Sequence, residues 1–252
     1  MQYIITPAAG KRLIGKAVAD KLSKYDAAIT GTIVIIAGTT NAYIAEELLE
    51  KLNQSEGFDK KRFFRGISVP PKIKTTITGR LTDESKFIGD VVIQKGKWLK
   101  GKTIFDILDE LDEGDIIVKG ANCVNVKDNK AGVIIGHPKG GTVLAALQVV
   151  TGKRVKLIIP VGLEKRTNED IDYISQILNK QGSKGYRLMP VTGEIITEIE
   201  AIKYLWGLDA KIFAAGGVCG AEGGIWLNIE GDDTNFKEYY SIIANEESFF
   251  ND

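Results

Sequence analysis

The chain has 252 residues, 44% of them hydrophobic and 26% charged, a composition that supports a packed core and excludes disordered and fibrous architectures. Its 33 lysines and arginines balance 33 aspartates and glutamates, so no long-range positive field draws it onto nucleic acid or an anionic membrane, and any partner is recognised locally. One histidine, His137, and two well-separated cysteines, Cys123 and Cys219, leave little from which to build a zinc or iron centre and suit a reducing, cytoplasmic compartment.

The apolar runs are of strand length and the first residues lack a basic stretch followed by a long apolar one, so neither a membrane span nor a leader is expected. Residues 10–22 place Ile14, Val18 and Leu22 on one face and predict an amphipathic helix. Residues 32–37 are β-branched, continuous and closed by Gly38, the pattern of a parallel strand buried on both faces. Helical spacing returns over 42–52 through Ile44, Leu48, Leu49 and Leu52. From 58 to 101 the pattern loosens into antiparallel ribbons or loops, with short apolar patches at 73–77 and 91–93. A helix is then expected over 103–111, strands at 115–118 and 132–135, a helix over 142–150 and a strand at 155–161, an alternation that implies a parallel sheet.

A further helix is predicted over 168–178, and the glycine-rich stretch 181–185 reads as a linker. The expected fold is therefore α/β: a three-layer, Rossmann-like, mostly parallel sheet over residues 1–180, followed over 186–252 by a small α+β module of ferredoxin-like type. That module would run strand 186–191, helix 193–206, strands 210–215 and 224–230, and helix 234–244.

Two loops carry the chemistry. Gly38-Thr39-Thr40-Asn41 joins the buried strand to its helix, where backbone N–H groups and hydroxyls converge on a helix N-terminus and form an anion site. Gly136-His137-Pro138-Lys139-Gly140-Gly141-Thr142 repeats the logic and adds Lys139, which can neutralise a phosphate. Neither loop matches the P-loop or dinucleotide fingerprint, which argues against those nucleotide folds. His137 is a candidate acid or base, and Lys165 is placed to aim an ammonium from a strand end into the same crevice. The glycine-rich loop 216–224 contains Glu222, a candidate nucleophile or base, or else is simply a long hairpin. The acidic run 106–115 reads as a solvated helix face and turn.

Read together, Lys11-Arg-Leu-Ile-Gly-Lys-Ala-Val-Ala, Ile33-Val-Ile-Ile-Ala-Gly-Thr-Thr and Ala45-Glu-Glu-Leu resemble the effector domain of DeoR-type sugar repressors. The later runs Asp115-Ile-Ile-Val-Lys-Gly-Ala-Asn122, Ile134-Ile-Gly-His-Pro-Lys-Gly-Gly-Thr142 and Leu157-Ile-Ile-Pro-Val-Gly-Leu-Glu-Lys165 are similar, in order and spacing, to three motifs of ribose-5-phosphate isomerase A. Both belong to one superfamily with glucosamine-6-phosphate deaminase and the family I CoA-transferases. The resemblance spans about residues 10–165 and implies a sugar-phosphate cradle at Thr39, Thr40 and Asn41, a homo-oligomer, and no cofactor.

The isomerase has Asp-Gly-Ala-Asp where this chain has Lys119-Gly120-Ala121-Asn122, and its glutamate base has no counterpart among Ala145, Ala146, Leu147 and Gln148. Moving a proton between adjacent carbons needs a positioned base, so the pocket is expected to persist without that mechanism. The expected ligand set is Gly38, Thr39, Thr40, Asn41, Gly120, Asn122, Lys139, Gly140, Gly141, Thr142 and Lys165, with Lys119 and His137 as catalytic candidates. Three roles follow: a sensor of a small phosphorylated metabolite, without the repressors' DNA-binding helix-turn-helix; a divergent enzyme acting on such a ligand, including a CoA-transferase-like one using Glu222; or an oligomeric structural subunit.

Overall fold

The structure, a computed structural model, describes residues 1–66, 68–84 and 87–248. In chain order it runs β1 (Gln2–Ile5), α1 (Pro7–Ser23), β2 (Thr32–Ile35), α2 (Thr39–Lys51), β3 (Val91–Gln94), β4 (Lys97–Trp98) and α3 (Ile104–Ile107). It continues with β5 (Ile116–Val118), β6 (Cys123–Asn125), β7 (Lys130–Ile135), α4 (Gly141–Lys153), β8 (Lys156–Pro160) and α5 (Ile171–Asn179). Last come β9 (Arg187–Val191), β10 (Glu194–Ile196), α6 (Glu198–Trp206), β11 (Asp209–Ala215), β12 (Ile225–Glu230) and α7 (Thr234–Ile243).

The central sheet has six strands in the order β10-β8-β5-β2-β3-β4. The first four are parallel, and β3 and β4 extend the sheet antiparallel. Both faces are buried, which is why β2 reads as an uninterrupted apolar run. Ile33 and Ile35 face a core built with α1, α2 and α6, whereas Val34 and Ile36 face one built with α3, α4 and β7. The α1–α2 packing depends on Gly15, where a Cβ would lie 2.7 Å from Tyr43 Cβ.

Several boundaries differ from the expectation for identifiable reasons. The helix expected over 103–111 stops after one turn, at Ile107, although a Thr103–Asp106 capping box starts it, and a 3-10 turn follows. The helix expected over 193–206 splits in two. Residues Glu194–Ile196 pair with β8 as a parallel edge strand, and α6 begins only at the Thr197–Glu200 capping box. In the 58–101 segment a β3–β4 hairpin forms across Lys95 and Gly96, both at positive φ. Residues 67, 85 and 86 of that segment lie outside the described residues.

The strand at 132–135 is not part of the parallel sheet. It lies in β7, which forms a separate antiparallel sheet, β6-β7-β9, turned at Asn129 with φ 49°. Beyond the 181–185 stretch, the strands disperse among three sheets. β9 pairs with β7, β10 with β8, and β11 and β12 form a sheet with β1 at the opposite end of the chain. The N-terminal ammonium donates to Ile229 O at 2.7 Å, closing that sheet. Within 186–252 β11 and β12 pair with each other, but β9, β10 and β12 each pair along an edge with a strand of the first 160 residues, so the expected split β-α-β arrangement does not form as a separate sheet.

Candidate functional site

Strands β10, β8, β5 and β2 run side by side in the same direction, so their carboxyl ends and following loops line one edge of the sheet. At neighbouring β2 and β5 the chain departs to opposite faces: β2 leads into α2 on one core, and β5 leads through β6 and β7 into α4 on the other. In an open α/β sheet the region outside the carboxyl ends at such a divergence is the usual place for a ligand crevice.

The amino end of α2 borders this crevice. Its N-cap is Gly38, which has no side chain to cap the first amides, and a Cβ placed there would meet nothing within 4 Å. The first-turn N–H groups therefore face an open approach and carry the positive end of the helix dipole. Asn41, 1% exposed, ties the two strand ends together: its Nδ2 donates to Ile36 O at 2.6 Å and Val118 O at 3.1 Å. Its Oδ1 is buried without a partner and faces Gly120, whose Cβ would lie 3.8 Å away. An orphaned buried acceptor costs about 1–3 kcal/mol, and a ligand hydroxyl in the crevice would satisfy it.

Lys119 follows β5, and its Nζ donates to Gly120 O at 3.1 Å. Burial pushes this ammonium down to about 8; Asp90 opposes the shift, and Lys165 and Arg65 reinforce it. Lys165, in the turn after β8, lies 3.4 Å from Glu164 Oε1. Lys11, on the first turns of α1, is also lowered, by burial and then by Lys165. Three lysines thus crowd the strand ends closely enough to oppose one another's charge.

The carboxylates of the region are largely committed. Asp90, with its side chain fully buried, accepts from Ala37 N at 3.0 Å and Ile104 N at 2.9 Å, and its Oδ2 is 3.2 Å from Arg65 Nη2. Glu198, 1% exposed, accepts from Leu163 N at 2.9 Å and packs against Gly10, where a Cβ would lie 2.4 Å from its Oε1. Burial, and then the charge of Glu164, raise Glu198 to about 8, which favours its protonated form. With Asp90 spent on Arg65, Glu164 is the carboxylate that acts on Lys11 and Lys165.

The sequence-derived residues divide between two places. Gly38, Thr39, Thr40, Asn41, Lys119, Gly120 and Lys165 all come to the carboxyl edge of the parallel sheet, though Thr40 is mostly buried, at 4% exposure. The 136–142 loop follows β7 and therefore belongs to the other sheet. There, His137 Nδ1 accepts from Lys139 N at 3.1 Å, Arg187 Nη2 donates to Gly136 O at 2.7 Å, and Gly136 packs directly on Thr78 O. Gly140 and Gly141 both adopt positive φ, 77° and 61°, which accounts for the paired glycines before Thr142 on backbone grounds. Asn122 is exposed, and its Oδ1 accepts from Ile134 N at 2.9 Å.

Glu222 sits exposed at the tip of the β11–β12 hairpin and accepts from Gly220 N at 2.8 Å, within its own loop. Cys123 and Cys219 are both free. Among the described residues no cluster of His, Cys, Asp and Glu could hold a metal ion, and no helix is long and apolar enough to cross a membrane.

Sequence reasoning missed Lys11, Arg65, Asp90, Glu164 and Glu198. One of them had a readable signal: Thr197-Glu198-Ile199-Glu200 is a capping-box pattern following an apolar pair, which puts Glu198 at the start of a helix just past a strand end. Arg65 and Asp90 reach the site from an irregular segment and from the residue just before antiparallel β3, and no local pattern announces that. No protein-family model, no curated protein and no solved structure matches the chain.

Proposed function

We propose that the crevice at the carboxyl ends of β2, β5 and β8 binds a small phosphorylated metabolite of sugar-phosphate type. In this reading the chain is a divergent, homo-oligomeric, three-layer Rossmann-like relative of the ribose-5-phosphate isomerase A and DeoR effector superfamily. The observation that carries it is the convergence at the β2/β5 divergence of an uncapped helix amino end, the orphaned Oδ1 of Asn41, and the ammonium of Lys119. Each suits one part of the ligand: phosphate oxygens for the amides and ammonium, a hydroxyl for the carboxamide. The crowding of Lys11, Lys119 and Lys165 adds to this, since a bound dianion relieves their mutual repulsion.

Thermal unfolding with and without D-ribose 5-phosphate tests the reading. The phosphate ester is expected to raise the melting temperature, free ribose is not, and saturation at a hundred times Kd corresponds to about 2.7 kcal/mol. Lys165→Gln and Thr39→Ala should each weaken the effect about tenfold in apparent Kd. His137→Ala and Lys139→Ala, on the other sheet, should leave it unchanged. Absence of stabilisation by D-ribose 5-phosphate, inorganic phosphate and coenzyme A alike would overturn the reading.

A further inference from the structure

Lys119 is placed for more than holding an anion. It stands at the end of β5, a strand flanked on both sides by parallel neighbours, so its backbone is fixed: its own amide donates to Ile158 O at 3.0 Å, and Ile36 N donates to Val118 O at 3.0 Å. Among the described residues its Nζ has one hydrogen bond, the 3.1 Å bond to Gly120 O, and no carboxylate partner. The carboxylate that acts on it most, Asp90, is saturated by Ala37 N, Ile104 N and Arg65. Lys119 is half-buried, and Gly120, whose carbonyl its Nζ bonds, lies beside the buried Oδ1 of Asn41 at the β2 and β5 ends.

We propose that Lys119 is an imine-forming amine, and that it takes a phosphorylated ketone or aldehyde whose phosphate rests on the amino end of α2. The proposal rests on the reading of the crevice as a phosphate site. Adjacent strands lie about 5 Å apart, a span matched by a carbonyl carbon two or three bonds from the phosphate. The nitrogen lone pair forms the new C–N bond while the carbonyl π pair moves onto oxygen. Both hydrogens of the neutral amine then pass to that oxygen, which leaves as water when the C=N bond closes. The step needs an unprotonated amine, and burial, with Lys165 and Arg65 nearby, makes that form accessible near pH 8.

Borohydride trapping of the full chain at pH 8 with dihydroxyacetone phosphate decides the matter. The expected product is a single adduct, heavier than the protein by the ketone less one oxygen atom and mapped by peptide mass spectrometry to Lys119. Unphosphorylated dihydroxyacetone should give at least tenfold less, excess inorganic phosphate should suppress the adduct on the wild-type protein, and Lys119→Arg should abolish it. If dihydroxyacetone phosphate raises the melting temperature but no Lys119 adduct forms, the imine is excluded and the binding site stands; if a Lys119 adduct forms but ignores competing phosphate, the amine reacts without a phosphate seat and the proposal is overturned. If the compound neither stabilises nor labels the protein, both readings fall together.

Discussion

Asp90→Ala is expected to lower the unfolding free energy by about 4 kcal/mol, measured by urea denaturation. The carboxylate is fully buried and holds three different elements: Ala37 N at the end of β2, Ile104 N at the start of α3, and Arg65 through both Nε and Nη2 at 3.3 and 3.2 Å. Truncation leaves two amides without an acceptor and a guanidinium, only 13% exposed, without its counter-ion. Arg65 also lies over the rings of Phe87 and Phe105, at 4.5 and 5.9 Å, so it cannot move to solvent without losing that packing. Asp90→Asn keeps one acceptor oxygen and should cost about half as much. A loss below about 1 kcal/mol for the alanine variant would show that this junction does not hold the strand end in place.

Glu198→Gln is expected to remove a pH dependence. In the folded chain burial, followed by the charge of Glu164, holds the Glu198 carboxyl up to about 8, against an ordinary value of 4.5. Between those values the folded state carries a proton that the unfolded state has released, so wild-type stability falls as pH rises through that window. The contribution is fully present below 4.5 and gone above about 8. Glutamine cannot ionise, and its side-chain oxygen can still accept from Leu163 N. The variant should match the wild type at pH 4 and exceed it at pH 9 by about 3 kcal/mol, from 1.36 kcal/mol per unit discounted for relaxation. Lys119, lowered by burial, acts on both proteins alike, whereas Lys11 and Glu164 are linked to the charge of Glu198 and contribute to the difference curve with it. A difference that is flat with pH would contradict a protonated Glu198.

How far the chain could be read depended on how local each signal was. The run 32–37 and the helices with four-residue spacing were legible because burial on both faces, or on one, writes itself directly into residue type. The Gly38–Asn41 loop was legible for the same reason: a glycine at a strand end before a helix is a local event. Two features were not. Strand β7 carries an apolar pattern that suits a parallel strand equally well, and only its pairing with β6 and β9 shows that the 136–142 loop follows a strand of a different sheet. The strand β1 and its distant partners β12 and β11 are joined by pairing across 228 residues, from Met1 to Ile229, which no window of sequence contains.

The charged side of the crevice shows the same limit from another direction. Lys119 and Lys165 follow strands and were found by position, but Asp90 and Glu198 are single acids in apolar surroundings whose partners come from other elements. That Asn122 Oδ1 accepts from Ile134 N, and that Glu198 at the start of α6 accepts from Leu163 N, is visible only in three dimensions.

A two-dimensional amide correlation spectrum titrated with D-ribose 5-phosphate locates the ligand on the chain. The account predicts that the amides of Thr39, Thr40, Asn41, Gly120 and Lys165 shift together and saturate at one ligand concentration, while those of Gly140, Gly141 and the 216–224 hairpin stay in place. Shifts centred on the 136–142 loop or on the hairpin, with Thr39 to Asn41 unmoved, would contradict it.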